Sequence, residues 1–556
     1  MKTKLMWTSL VLLPLAVWLG AQVQNAAASR KSLAEITPGN ALVWIEAKDL
    51  KGIVSSWNGS QEKKTWLDSS TYQSYMRSKL ALRLEEVQKA YADGIGVNPG
   101  FELLENVAGG ESAIAVYDVG KLELLYLTRL PAAGIGQTLL MQGRAKFQAR
   151  NAGGQAYYVK STSDGTVAFA AVGDLLIAGS REDLVAGALQ LLAGQQRPAV
   201  KQERWFADAL AKSIGSPDVR MLMNLDRAVK TAHFRSYWIQ QNVTEMSQYY
   251  AAVSDLQMGA GAWTEQRTLL RRESRAAVDE AGVAKLAKFV PADAGFYQAW
   301  AKPSPSQVEA LLSERMLPRA GSGATNPEEQ RAPGAVVGSN AGGEEQLENR
   351  VDVVEVSSGN ASSPLPIVKL GVAIDAAAQI QATRASTGGV LVGFDSALVL
   401  LGFANWDENA VKSAVQASAE RAWSAGALTW NRRGTAAWEL SGLNSMHLWL
   451  QGNVLVIANS AGLLDKVIAS NGRSLQGVYV SGYRHGAERE NYRRVMGHID
   501  YPRIPSTEKG TGRAPMLFSE TLGDLGKVLQ RVDASTMEVR DDGAVVKQTV
   551  VYRKRP

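Results

Sequence analysis

Apolar and polar positions along this chain fall into one order of segments that occurs twice, from about Pro38 to Arg275 and from about Pro291 to Arg555. Each stretch opens with a turn, a strand and a helix: Pro38–Glu46 then Lys48–Trp57, and Pro291–Trp300 then Ser304–Met316. Proline, glycine and aspartate mark the turns, while aromatic and β-branched residues favour the strands. In the first stretch a helix is predicted over Thr71–Asp93, with Leu80, Leu84, Val87 and Tyr91 on one face. Paired strands follow, Ser112–Val119 with Leu122–Leu130, matched by Val390–Ser396 with Ala397–Ala404. A helix comes next in both, Gly134–Phe147 and Asp407–Trp423.

Ala156–Thr162 and Thr166–Val172 then read as strands, as do Ala436–Gly442 and Met446–Gln451. Gly173-Asp174 and Gly452-Asn453 lead into Leu175–Ser180 and Val454–Ser460 as tight hairpin turns, because these residues tolerate positive φ. Ser180 and Ser460 stand where a helix N-cap is wanted, and Asp183 completes a capping-box pattern with Ser180. After a short helix (from Arg204 or Glu490), a strand and helix are predicted from Val219 and from Ala514. A closing hairpin ends each stretch, the second turning at Asp541-Asp542-Gly543. The first stretch adds a Tyr- and Gln-rich helix over about Phe234–Ser254. The second adds a Gly- and Pro-rich segment at about 319–366, a surface loop or disordered insertion.

Hairpins alternate with single helices and no βαβ rhythm repeats. The pattern therefore predicts an α+β fold: two tandem copies of a mainly antiparallel sheet with helices packed on one face. The expected organisation is a leader at 1–28, a first repeat domain at 29–275 and a second at 276–556.

The N-terminus bears on destination. Lys2 and Lys4 precede an apolar run, Leu5–Leu19, and Ala26-Ala27-Ala28 offers a small-residue cleavage site. These are the three parts of a secretory signal peptide. Pro14 and the shortness of the run favour cleavage over an anchor, because a spanning helix wants about 20 apolar residues. Export to the periplasm, the envelope or the medium is the expectation, with membrane contact only if the segment stays uncleaved. The chain has 556 residues, 46% hydrophobic and 21% charged, with a formal net charge of +6 spread along it and no basic run of nucleic-acid type. It has no cysteine, which excludes disulfides, thiolate metal sites and cysteine nucleophiles.

Recognisable catalytic chemistry is sparse. No Gly-x-Ser-x-Gly elbow, P-loop or His-Glu-x-x-His motif occurs, and no cofactor is expected. Among four histidines, His447 falls within a strand, while His485 and His498 with Asp500 form the one candidate metal set. Their spacing suits neither a helix nor a hairpin. Adjacent acids at Glu85-Glu86, Glu344-Glu345 and Asp541-Asp542 read as solvated surface. The candidate binding surface is the aromatic group Tyr237, Trp238, Tyr249 and Tyr250 on the extra helix, since such rings present apolar faces with polar tips.

Pro38–Glu46, the step from Gly173-Asp174 into Leu175–Leu184, and the closing hairpin resemble an uncharacterised family of exported bacterial proteins, the domain-of-unknown-function 3352 type known from cyanobacteria and acidobacteria. The resemblance implies export or envelope association and supplies no catalytic residues. The expected function is a non-catalytic exported binding or scaffold protein whose partner is an envelope protein, a glycan or a lipid. An envelope-polymer hydrolase with fold-assembled carboxylates and a carrier of an apolar ligand are the alternatives.

Overall fold

A computed structural model of the chain describes residues 30–69, 101–162, 165–232, 246–304, 372–383, 394–422, 428–442, 445–488 and 531–555, with isolated positions between them. The leader, the segment at 319–366 and the face Leu80, Leu84, Val87 and Tyr91 lie outside the described residues. The chain divides into two compact units. One gathers Met1–Ser55, Arg83–Ala211 and Met221–Asn224, and the other Ser56–Leu82, Lys212–Arg220 and Leu225–Pro556.

The first unit holds strands Val43–Ala47 (β1), Ser112–Asp118 (β2), Glu123–Arg129 (β3), Gln148–Ala152 (β4), Gln155–Thr162 (β5), Gly165–Val172 (β6), Leu175–Gly179 (β7) and the last four residues of Val219–Asn224 (β8). Their hydrogen-bonded order is β4-β5-β6-β7-β3-β2-β1-β8. The ladders from β4 to β1 are antiparallel.

The second unit holds Tyr249–Met258 (β9), Ala262–Arg271 (β10), Phe296–Ala301 (β11), Ile374–Thr383 (β12), Phe394–Gly402 (β13), Thr429–Arg432 (β14), Ala437–Ser441 (β15), Met446–Gln451 (β16), Val454–Ala458 (β17), Tyr479–Tyr483 (β18), Val532–Asp541 (β19) and Val545–Lys554 (β20). Its order is β14-β15-β16-β17-β13-β12-β11-β18-β19-β20-β10-β9, antiparallel throughout. The first eight places follow the same sequence of chain order as the eight of the first unit. The turns agree as well. Gly173 (φ 61°) joins β6 to β7 and Gly452 (φ 59°) joins β16 to β17. Each is the first residue of a two-residue loop, where only glycine takes a positive φ without strain.

Helices were expected on one face of each sheet, and in the second unit they cover both. Along β13, Ala397, Val399 and Leu401 enter one core, with Leu463, Leu464 and Val467 of the helix Ala461–Ile468. Leu398 and Leu400 enter another, with Val411, Ala414, Val415 and Ala419 of the helix Glu408–Ala422. A strand buried on both sides reads as a near-continuous apolar run. That explains why the turn expected between Ser396 and Ala397 does not occur. One strand, Phe394–Gly402, passes through the expected turn, and it pairs with β12 on one side and β17 on the other. The first unit shows the same alternation. Tyr126 of β3 packs with Phe147, Phe169, Ile135 and Leu140, while its neighbours Leu125 and Leu127 are fully buried.

Other expectations shift locally. The helix over Gly134–Phe147 is three short pieces, Ala132–Ile135, Leu139–Gln142 and a 3-10 turn at Arg144–Lys146, with Thr138 capping the second through the Met141 N–H. Gly134, Gly136 and Gly143 weaken any longer helix. Ser460 caps its helix by accepting from the Leu463 N–H, but Ser180 does not. Its hydroxyl instead accepts from the Leu124 N–H at 2.9 Å and ties β3 to the end of β7. The strand that follows the helix Ala461–Ile468 is β18, whereas Ala514 lies outside the described residues.

Candidate functional site

The most buried ion pairs among the described residues involve the two closing hairpins. β9 and β10 are joined by three residues, as are β19 and β20, and the four strands form the order β9-β10-β20-β19. Asp541 ends β19 and is buried, which corrects its reading as solvated surface. Its Oδ1 accepts from Arg271 Nη1 at 2.5 Å and from the Gly543 N–H at 3.0 Å. Its Oδ2 accepts from Arg271 Nη2 and Arg275 Nη2, both at 2.8 Å. The two-pronged contact matches the planar guanidinium to the carboxylate. Side-chain exposure is 2% for Arg271 and 5% for Asp541, so the pair is dry. The Arg271 guanidinium also lies 5.5 Å from the centre of the Tyr249 ring. Burial pushes the Asp541 carboxyl up, but the hydrogen bonds from Arg271, Arg275 and Gly543 outweigh it and hold the group down at about 2.

A second buried acid, Asp255, lies in β9. It accepts from Ser213 Oγ at 2.6 Å, the Ile214 N–H at 2.8 Å and Arg220 Nε at 2.8 Å. Both acids are tied to arginine. That is the arrangement of a structural ion pair; a general acid needs a carboxyl kept protonated near neutrality.

The residues singled out from sequence disperse. Tyr249 and Tyr250 open β9 and do not lie on a helix, because Tyr and Val favour the pleated surface over this stretch. Tyr249 is buried under Arg271 and offers no open face. Tyr237, Trp238, His498 and Asp500 lie outside the described residues. His485 follows β18, with its Nε2 3.1 Å from Ser535 Oγ and its ring edge-on to Tyr483. A serine beside a histidine suggests a nucleophile and its base. Ser535, however, is an interior position of β19, flanked across its two ladders by Tyr552 and Tyr483. No sharp turn lifts its hydroxyl towards a substrate. Among the described residues no group of three His, Asp or Glu side chains could hold a metal ion. His447 is buried in β16, and burial lowers its pKa.

One cleft of about 860 Å³ opens in the first unit, lined by Lys31, Glu35, Gly194, Arg197, Lys201 and Gln202. Its charges already have partners. Lys201 pairs with Glu35 at 2.9 Å, and Lys31 Nζ donates to the Leu191 carbonyl at 2.7 Å, at the end of the helix Glu182–Leu192. A cation there complements the helix dipole.

No family model matches the chain, and none of the curated proteins does. Among solved structures, crystal forms I and IV of TP0453 are similar to it. Each is 12% identical, with TM-scores of 0.24 and 0.25, over 45% and 44% of this chain and 82% of the other. Likeness at that score supports no argument about fold or activity. Among the described residues no helix is long and apolar enough to cross a membrane.

The cluster that matters was missed in the sequence. Arg271, Arg275 and Asp541 are each ordinary at a strand end or turn. Their meeting depends on a ladder between segments 270 positions apart.

Proposed function

We propose that this chain is a non-catalytic exported binding or scaffold protein of the cell envelope, built from one strand-and-helix plan used twice. The observation that carries the reading is the agreement of the two strand orders, β4-β5-β6-β7-β3-β2-β1-β8 and β14-β15-β16-β17-β13-β12-β11-β18. The polar clusters favour the same reading, since Asp541 and Asp255 spend their charge on arginine. The N-terminal leader pattern supports export. An envelope protein, a glycan or a lipid is the class of partner.

The test is a pull-down. Full-length protein with an affinity tag is returned to the envelope fraction of its own host, crosslinked and recovered. The reading expects a reproducible protein, glycan or lipid absent from a tag-only control. Recovery of the protein alone, at several expression levels, would remove the binding role.

A further inference from the structure

The ladder between the two closing hairpins has a property that ordinary strand pairing does not require. All four strands contain ten residues. Within each hairpin the second residue of the inner strand faces the tenth of the outer one: Trp263 faces Met258 and Val546 faces Asp541. The far ends agree too. Arg271 pairs with Tyr249 and Leu270 with Ala251, so Tyr250 is skipped. Lys554 pairs with Val532 and Arg553 with Ala534, so Asp533 is skipped. Both bulges omit the second residue of the outer strand. Bulges kink and twist a strand at a chosen point, so two at one position shape both hairpins alike.

These equivalent hairpins then pair through β10 and β20. Ala262, the first residue of β10, faces Arg553, the ninth of β20. Leu270, the ninth of β10, faces Val545, the first of β20. At the centre Gln266 faces Thr549, and each is the fifth residue of its strand. A ladder in which every pair maps onto another when the strands trade places is two-fold and self-complementary. That is the rule for an interface between identical subunits.

We infer that the β10–β20 seam is an interaction surface of dimer type: the side of each closing strand not taken by its own hairpin fits a second closing strand of the same plan, so the halves 29–275 and 276–556 associate as subunits would. Side chains allow this. In the same register, β10 against another β10 sets Glu265 opposite Arg267, and β20 against another β20 sets Val546 opposite Tyr552. Neither arrangement opposes like charges, which would destabilise it. Arg271 and Asp541, buried at one end, favour the mixed pair over either like pair. The inference rests on the duplicated plan in Proposed function.

The experiment uses the full chain with a protease site replacing Ala276–Asp279 and with Thr549→Cys as its sole cysteine. After cleavage, native mass spectrometry is expected to find the mass of the uncut protein. Mixing with a mass-tagged copy in mild denaturant should yield particles with exchanged halves, plus a minority of C-terminal pairs linked by disulfide at position 549. Adding Asp541→Asn should speed exchange on the order of a hundredfold. Cut protein that separates, precipitates or never exchanges overturns the inference, and so do C-terminal pairs without the disulfide. A failed pull-down leaves these outcomes unaffected, so loss of the envelope role and loss of the seam are read separately. Different topologies in the two halves of an experimental structure would instead sink the duplication.

Discussion

The two ends of the β10–β20 ladder share a backbone plan and differ in chemistry. At one end Arg271 and Asp541 form a buried ion pair, with the exposed Arg275 reaching in to the same carboxylate. At the other, Lys554 lies 4.7 Å from the centre of the Trp263 ring and donates to the Gly259 carbonyl at 3.2 Å, with Trp263 41% exposed. Counted from the strand starts, Lys554 occupies the place of Arg271, and Met258 that of Asp541. Within each hairpin the register is set by turn type and loop length, so side chains at the ends can diverge without disturbing it. Water then decides what each contact is worth. A dry charge pair costs much to break, because removing one partner strands the other. A wet cation over an indole is worth little.

Substitutions at the two ends should therefore separate widely. The largest effect is expected for Asp541→Ala, which leaves Arg271 buried without its counter-ion and should cost about 3–5 kcal/mol. Urea denaturation of the full chain, read at β-sheet wavelengths, measures it. A cost no larger than that of Lys554→Ala would erase the distinction between the ends. Next is Gly543→Ala. Gly543 has φ 89°, and an added Cβ would lie 1.9 Å from the Arg275 carbonyl. The left-handed backbone alone should cost about 1–2 kcal/mol, with the clash on top. The opposite loop offers a control, since Gly259→Ala meets the Ala262 carbonyl at 2.8 Å without a positive φ. Equal losses in thermal midpoint would contradict this account of the two turns.

Much of this sheet was legible in the sequence, and the gaps have physical causes. β5 to β7 and β15 to β17 announced themselves through apolar alternation and through Gly173-Asp174 and Gly452-Asn453. β4 and β14 escaped because they are edge strands with mostly exposed residues, such as Gln148, Arg150 and Arg432, and so carry little apolar signal. β12 was lost beside the long polar segment, and β13 was split because both its faces are buried. The polar cluster could not be read at all. Nothing local to Asp541 distinguishes a residue in a solvated turn from one that meets an arginine across a ladder.

Acid sharpens the comparison further. The Asp541 carboxyl falls from an ordinary 3.8 to about 2 in the folded protein, so the unfolded chain takes up the proton first. The contribution, about 2 kcal/mol, is complete above about pH 4 and lost as pH falls towards 2. The gap in urea midpoint between the wild type and Asp541→Asn should close over that window. A gap independent of pH would mean that the carboxylate charge does not carry the stability of the Arg271–Asp541 pair. The smallest effect belongs to Lys554→Ala, about 0.5–1 kcal/mol for a half-buried cation over an exposed indole. A loss above about 2 kcal/mol would mark that end as dry too.

A cysteine scan of the seam tests the two-fold plan most directly, since no native thiol competes. Pairs are placed at Ala262 and Arg553, at Gln266 and Thr549, and at Leu270 and Val545, with Gln266 and Val551 as a control slipped by two residues. The first three should oxidise within one chain, the outer two at similar rates on either side of the centre, while the slipped pair stays reduced. Crosslinking of the slipped pair in preference to Gln266 and Thr549 would contradict the two-fold register on which the account depends.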